Sequence, residues 1–463
     1  MTDYAGKTIV VIGMARTGLA VASAMRKLGA NVVLYDHKPE SELAAAISQA
    51  HELGVETRLG SIDVSLDGAD MLVPSPGVPA HIPVFAEARR RGIPIISEIE
   101  LAYRIAQAPI IGITGTNGKT TTTVLTGRMF QADARETAIA GNVVAGDIRK
   151  PLITAALETS ADGFIVAEIS TFQLEWISDF RPRVAALLNV TADHLDRHSG
   201  VEEYANLKAR IFANQTPNDF AIINSDNPFT ASLAQSLNGR VMRFSRIIEP
   251  DEGGFIRGDE LVIRHNGDEF VICRRSDILL RGEHNVENIL AAACAAIALG
   301  VKTESVLNAI RGFHPIEHRL EPVAVIDGVE YINNSMCTNI DAAVRSIEAI
   351  REPQIVIAGG KEKGLDFAPL AASFVRKVKH VVLIGADGDL IHEAARSVGY
   401  DHISRAGSMN EAVDIARSIA VPGDVVVLTP ACASFDMFSS FEERGQAFKQ
   451  IVMDYAREGC AST

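Results

Sequence analysis

The stretch Gly112-Ile113-Thr114-Gly115-Thr116-Asn117-Gly118-Lys119-Thr120-Thr121-Thr122-Thr123 decides the reading of this chain. It sits between an apolar strand, IIGITG, and a helical run, GKTTTTVLTGRMF. A glycine-rich turn there can aim its backbone amides at phosphate oxygens, and the helix that follows adds a favourable dipole. Lys119 is then placed for the β- and γ-phosphates, and the Thr120 hydroxyl for Mg²⁺. Six positions before Lys119 the general phosphate-loop pattern asks for glycine and this chain has Ile113. Strand before, helix after and Gly-Lys-Thr in place still favour a nucleoside triphosphate site over a turn with a solvated lysine. Taken alone, the loop suits motors, GTPases, kinases and ligases equally.

Outward from the loop, short apolar strands alternate with helices along the whole chain, predicting α/β architecture with parallel sheets. Over 463 residues this is enough for about three domains. KTIVVIG, NVVLYD and DMLVPSPG open a first domain, which ends near residue 107. Residues 108–314 form a central domain. In it the segment FIRGDELVIRHNGDEFVICRR switches to period-two alternation across Gly-Asp turns, predicting a small antiparallel sheet beside the parallel one. Residues 315–463 form a third α/β domain, starting with a strand pair in AVIDGVEYINN and ending in a helix. Clefts between such domains suit large, multi-part substrates.

A formal net charge of −14 argues against broad nucleic-acid binding and leaves room for anions held by a few basic side chains and amides. The five cysteines are scattered without Cys-x-x-Cys spacing, so neither a disulfide framework nor a zinc site is expected. MTDYAGKTIVVIG lacks the order of a signal peptide, and ILAAACAAIALG is too short to span a bilayer and reads as a buried helix. A cytoplasmic, reducing setting, a monomer and no membrane partner are the expectations.

Three further segments carry candidate chemistry. Gly13-Met14-Ala15-Arg16-Thr17-Gly18 after the first strand, with Asp36 ending the second, resembles a dinucleotide fingerprint in which Ala15 replaces the central glycine. It is either a ligand-free turn or a seat for a nucleotide diphosphate, with Asp36 toward base or ribose and Ser75-Pro76-Gly77 closing over it. Glu168 ends the strand FIVAE, and Asp193, His194, Asp196 and His198 follow VAALLNV. The carboxyl ends of parallel strands surround the ligand crevice, so Thr120, Glu168 and His194 can converge on Mg²⁺. His194 is otherwise a capping or core histidine, the commoner role, since magnesium prefers oxygen ligands. Lys208 lies on the helix YANLKARIF, where a lysine is most often plain surface charge.

Together, TGTNGKTTTT, NVTADHLDRH, YANLKARIF, GEHNVENILAA and HRLE resemble the Mur ligases of peptidoglycan synthesis, in the family's order and over essentially the whole chain. VIGMARTG, SPGVP, EISTFQLE and TPACASFDMFSSFEERG are most similar to the branch that adds D-glutamate to UDP-N-acetylmuramoyl-L-alanine. The resemblance implies a Rossmann-like first domain that binds the UDP substrate, a central ATP-binding domain and a Rossmann-like third domain that takes the amino acid. It implies an ATP-dependent amide ligase working through an acyl phosphate, with ATP and two Mg²⁺ ions. Gly115, Thr116, Asn117, Gly118, Lys119, Thr120 and Thr121 would hold the ATP phosphates, Asn285 and Asn288 the adenine, and Arg319 the ribose and phosphate. Thr120, Glu168, His194 and Lys208 would serve the metal, Lys208 as a carbamate, and Lys119, His194 and Lys208 would be the catalytic set. Ala15, Arg16, Thr17, Asp36, Ser75, Pro76, Gly77 and Asn142 would contact the UDP substrate, and Thr338, Lys363, Ser434 and Phe441 the glutamate.

One segment departs from the family. Where it reads Asn-Asp-Ser-Lys-x-Thr, this chain has Asn333-Asn334-Ser335-Met336-Cys337-Thr338. One acid and one base are lost together, so the net local charge is kept while contacts to ATP and amino acid are open. The alternatives are an L-glutamate-adding variant, a folylpolyglutamate-type ligase, a nicotinamide dehydrogenase on the first domain, and a non-catalytic nucleotide sensor.

Overall fold

The computed structural model describes residues 4–61, 63–79, 81–191, 200–361 and 366–461, the last four of these by backbone only. The chain divides into two compact units. One gathers Met1–Asn189, Tyr204–Arg274 and Asn288–Ile310; the other Val190–Glu203, Arg275–Glu287 and Arg311–Thr463.

The first unit holds two sheets. The N-terminal one is parallel throughout, ordered Glu56–Leu59, Asn31–Asp36, Thr8–Ile12, Met71–Pro74. Thr8–Ile12 reads TIVVI with every residue after the first buried, as expected for a central parallel strand covered on both faces. Asp36 and Pro74 therefore both end strands at the carboxyl edge, beside the turn at Gly13.

The second sheet has nine strands. Thr137–Gly141, Phe164–Glu168, Ile110–Thr114, Val184–Leu187, Phe220–Asn224, Arg240–Phe244 and Gly253–Arg257 run parallel in that spatial order. Glu260–His265 and Asp268–Arg274 then add antiparallel to its edge. The meander thus extends the parallel sheet and is no separate sheet, unlike the sequence-based expectation. Gly253 allows this: its φ is 129°, and a Cβ there would lie 1.8 Å from the Arg243 carbonyl oxygen. Only a residue without a side chain lets Gly253–Arg257 close onto Arg240–Phe244.

Two buried carboxylates on the helix Glu98–Ile105 join the sheets' layers into one unit. Glu100 accepts from the backbone N–H of Ser178 (2.9 Å), Asp179 (3.0 Å) and Phe180 (2.9 Å) and pairs with Arg104. Phe85 stacks on Trp176 at 5.1 Å between ring centroids. Hydrogen bonds to a charged acceptor contribute roughly 1.5–3 kcal/mol each, enough to fix the two layers against one another.

The second unit is built on six strands ordered Glu321–Ile326, Val329–Asn333, Val425–Leu428, Gln354–Gly359, Val378–Ile384, Ile403–Arg405. The first two form the antiparallel pair, turning at Asp327-Gly328 with positive φ at both residues, and the rest are parallel. Period-two alternation sends Ile332, Val356, Leu383 and Val427 to one core and Tyr331, Ile357, Val382 and Leu428 to the other. Helices cover both faces, including Ile340–Ala349 on the first and Met409–Ile419 on the second. In the first unit, residues 289–297, inside the helix Glu283–Ala298, are buried as the alanine-rich pattern predicts. Among the described residues, no helix is long and apolar enough to cross a membrane.

Candidate active site

The strand Ile110–Thr114 delivers the glycine-rich loop at the carboxyl edge of the nine-stranded sheet, and Gly118, at φ 85°, starts the helix Lys119–Ala132. A Cβ at Gly118 would fall 2.2 Å from Asn288 Oδ1, so the Asn288 amide lies directly against the loop. Lys119 Nζ arches back over it, donating to the carbonyls of Gly115 (2.9 Å) and Thr116 (2.8 Å). Thr120 to Thr123 are all buried, which fixes the first turns of the helix on the sheet.

Asn189, which the motif reading left unassigned, clamps this loop. Its side chain accepts from Asn117 N–H (2.9 Å) and donates to Asn117 carbonyl (3.1 Å), while its own carbonyl accepts from Thr116 N–H (2.9 Å). Its position just past the strand Val184–Leu187, at the ligand edge of a parallel sheet, was the available signal.

Behind the loop, Glu168 brings the predicted metal carboxylate to the predicted metal hydroxyl. Glu168 Oε2 accepts from Thr120 Oγ1 at 2.7 Å, and Oε1 accepts from Asn142 Nδ2 at 3.2 Å. The ends of three neighbouring strands, Ile110–Thr114, Phe164–Glu168 and Thr137–Gly141, supply this cluster. Hard oxygen donors beside a phosphate-binding loop fit magnesium. Lys208 is drawn in from the helix Val201–Ala209. It is 1% exposed, donates to the Gly115 carbonyl at 2.9 Å and lies 4.2 Å from the Tyr204 ring centroid. It is therefore no surface lysine. Asp193, His194, Asp196 and His198 lie outside the described residues.

The N-terminal turn belongs to the same compact unit. Gly13 has φ 95°, and a Cβ at Gly18 would sit 1.9 Å from the Gly13 carbonyl oxygen, so the turn and the helix Arg16–Lys27 close tightly. Ser75 Oγ donates to that carbonyl at 3.2 Å, joining the Ser75-Pro76-Gly77 turn to it. Asp36 spends its carboxylate on Met14 N–H (2.8 Å) and Lys38 N–H (3.1 Å), shaping the turn. Ala15 and Arg16 are exposed at its mouth and Thr17 is half-buried. Partial desolvation first, then the Arg149 guanidinium, lower the Arg16 pKa, while Glu98 and Glu168 oppose them. Arg16 thus shares an electrostatic field with Glu168.

In the second unit, Ser335, Cys432 and Phe441 are tied together by Arg444, which is 1% exposed. Its guanidinium donates to Ser335 Oγ (3.0 Å), Ser335 carbonyl (2.8 Å) and Cys432 carbonyl (3.1 Å), and Ser335 Oγ donates to the Phe441 carbonyl (2.8 Å). Burial brings its pKa down to about 10, so it stays charged at neutral pH. Ser434 follows Ala433, which bridges to Lys361; Lys363, two residues on, lies outside the described residues. Thr338 is half-buried next to Cys337, whose thiol burial pushes up to about 12. Arg444 was legible only as one charge on an amphipathic helix. Arg319 is half-buried, and buried Asn285 donates to the Arg281 carbonyl at 2.7 Å.

Asn334 is spent inside the fold. Its oxygen accepts from Leu320 N–H (3.2 Å), and its NH₂ donates to Ser346 Oγ (2.9 Å) and Thr429 Oγ1 (3.4 Å). An amide both donates and accepts, and this site uses both.

Residues 7–97 match the Mur ligase MurD-like N-terminal domain, residues 113–296 the Mur ligase middle domain, and residues 318–432 the Mur ligase glutamate ligase domain. The UDP-N-acetylmuramoylalanine–D-glutamate ligase of Pelotomaculum thermopropionicum is 46% identical over 454 residues, covering 98% of this chain and 99% of its own. The ligase of the same name from Koribacter versatilis is 41% identical over 457 residues, covering 98% and 99%. Among solved structures, UDP-N-acetylmuramate-alanine ligase MurC from Thermotoga maritima shares the fold at TM-score 0.61 and 17% identity, covering 96% of this chain and 99% of its own. Mycobacterium tuberculosis folylpolyglutamate synthase does so at TM-score 0.56 and 16% identity, covering 74% and 91%. With all three sheets in place, the phosphate loop closed by Asn189 and relatives matched from end to end, the chain belongs to the Mur ligase family.

Proposed function

We propose that this chain is an ATP-dependent ligase that joins D-glutamate to the terminal carboxylate of UDP-N-acetylmuramoyl-L-alanine, in peptidoglycan precursor synthesis. Relatives 41–46% identical over nearly the full chain carry that activity in their names. The single observation that carries the chemistry is the convergence on the phosphate loop: Thr120 on Glu168 at 2.7 Å, with Lys119 and Lys208 on the Gly115 carbonyl.

A carboxylate resists attack by an amine because its charge is delocalised and oxide is a poor leaving group. Transfer of the γ-phosphoryl group of ATP to one carboxylate oxygen releases ADP and leaves an acyl phosphate. The glutamate amine then forms the C–N bond as the C–O bond to phosphate breaks and the nitrogen gives up its proton. Lys119 and the loop amides stabilise charge on the transferring group. Thr120 and Glu168 would hold Mg²⁺, which neutralises the phosphates when bound. Asn142 fixes the Glu168 carboxylate from its far side. The turn of Ala15, Arg16 and Thr17 with Ser75-Pro76-Gly77 takes the UDP end, its geometry set by Asp36. Asn288 and Asn285 take the adenine, Arg319 the ribose, and Thr338, Lys363, Ser434 and Phe441 the glutamate.

In this reading Lys208 is carbamylated: its neutral amine adds to carbon dioxide and releases one proton, leaving an anion. A buried ammonium this close to the loop would repel the cation, whereas a carbamate can orient it. A second Mg²⁺ then has an anionic partner.

The test is ADP and phosphate release with UDP-N-acetylmuramoyl-L-alanine and either D- or L-glutamate. Turnover with D-glutamate alone is expected. Turnover with L-glutamate alone reassigns the stereochemistry, and none with either overturns the ligase reading.

A further inference from the structure

We propose that Glu98 is a positioning residue for phosphoryl transfer, acting through Gln173 and Ser170 on the strand end that carries Glu168. Glu98 opens the helix Glu98–Ile105 and is 2% exposed. One carboxylate oxygen accepts from Ile153 N–H at 2.7 Å, at the start of the helix Leu152–Glu158. The other accepts from Gln173 Nε2 at 3.4 Å. At the opposite end of the same buried amide, Gln173 Oε1 accepts from Ser170 N–H (2.9 Å) and Ser170 Oγ (3.0 Å). Ser170 stands two residues past Glu168, whose carboxylate meets Thr120.

The polarity of this hydrogen-bond chain is set at both ends, by the Ser170 N–H, which can only donate, and by Glu98, which can only accept when ionised. Both groups facing its carboxylate are donors, so two acceptor oxygens are required there. That fixes the Gln173 NH₂ toward Glu98 and the Gln173 oxygen toward Ser170. An amide at position 98 offers one acceptor oxygen where two donors stand, so it sets a donor against either the Gln173 NH₂ or the Ile153 N–H, and a proton there weakens one of the two acceptors. If Gln173 then flips, its NH₂ is turned onto Ser170 N–H, and the lock beside Glu168 is lost. Buried, half-satisfied polar networks are costly, so the segment shifts to relieve it. Glu98 thereby connects the layer that binds the UDP substrate to the carboxylate that serves the phosphate loop.

Burial raises the Glu98 pKa to about 7; the opposing influences are the backbone of Ile153 and Leu152, the Gln173 amide and the Arg16 guanidinium from the helix Arg16–Lys27. Catalysis needs the ionised form, so activity falls as pH drops through about 7. Stability runs the other way. A carboxyl group with a raised pKa binds its proton more tightly folded than unfolded, so its contribution favours the fold at acid pH. A merely structural role would move activity and stability together.

The inference rests on Glu168 as the metal carboxylate. Full-length wild type, E98Q, Q173E, the swap E98Q/Q173E and E168Q are compared by steady-state kinetics against pH and by thermal melting. E98Q and Q173E are each expected to lose about tenfold or more in kcat, with KM for the UDP substrate within roughly twofold. The swap restores one acceptor for Ile153, one donor–acceptor pair between the two side chains and acceptors for Ser170, and should regain most of the kcat. E98Q should also lack the acid limb near pH 7. Wild-type kcat in E98Q overturns the proposal, as does a swap that regains the melting temperature without the kcat. Unchanged magnesium dependence in E168Q would instead remove the metal assignment on which the proposal stands.

Discussion

Lys119 and Lys208 both donate to the carbonyl of Gly115, each at 2.9 Å, one from the helix that leaves the loop and one from a helix far along the chain. Two amines on one loop carbonyl bring the lysine of the glycine-rich loop and the candidate carbamate to the same turn. This relationship converts a lysine that sequence statistics assign to the surface into part of the site.

Lys208→Ala should therefore reduce kcat by at least about a hundredfold, the scale of losing a charged group at a preorganised site. Added formate or acetate should restore part of it by supplying the missing anion. ADP release with and without the carboxylate measures this; full activity without rescue removes the carbamate.

Asn189→Ala leaves the backbone N–H and C=O of Asn117 without their clamp. Each lost bond costs about 1–3 kcal/mol when the partner stays buried. The loop loosens, so KM for ATP should rise about tenfold or more while KM for glutamate stays the same. Initial-rate measurements with each substrate varied in turn decide it.

Arg444→Lys keeps the charge but cannot span Ser335 and Cys432 at once, since the ammonium lacks the planar fork. The expected result is a KM for glutamate raised about tenfold with KM for ATP unchanged. Equal changes in both would mean that Arg444 supports the whole unit rather than the segments around Phe441.

Restoring the family's acid by Asn334→Asp should not improve the enzyme. Ser346 Oγ already donates to the Ala342 carbonyl at 2.7 Å, so it has no proton left for a carboxylate. A buried charge facing a lone pair costs about 1–3 kcal/mol or more. A lower melting temperature with no gain in kcat is expected; a gain in kcat would show that the amide limits the site.

Glu98 gives the fold a distinctive pH dependence. Its pKa rises from 4.5 to about 7 on folding, so between those values the folded chain holds more protons than the unfolded one. Stability from this group is greatest in acid and declines as pH climbs to about 7, by roughly 3 kcal/mol in all. Denaturant melts of wild type and E98Q at pH 5 and pH 8 isolate the term as the difference between the two slopes. The same slope in both proteins would assign it elsewhere.

Much of the architecture was legible in the sequence because strand and helix periodicity is local. The Asp327-Gly328 turn, the buried alanine-rich helix and the glycine-rich loop stand where their residues predict. The continuity of the nine-stranded sheet was not legible, since it depends on the close approach of Gly253 to Arg243, residues whose pairing no local pattern announces. Within the site, Lys119, Thr120 and Glu168 were readable from motif and strand-end position. Asn189, Gln173, Glu98 and Arg444 were not, because their work is on backbone groups and amides of other segments.

What the sequence by itself determined is the set of parts: three α/β sheets, a phosphate loop with lysine and threonine, a carboxylate at a strand end, and membership legible from motif order. What only the tertiary structure decided is which polar groups meet. Lys208 faces inward, Asn334 is consumed by the core and Glu98 reaches Gln173 because helices from distant segments pack onto the sheets in one register. Burial then removes water as the alternative partner, so each of these groups must take the partner that packing provides.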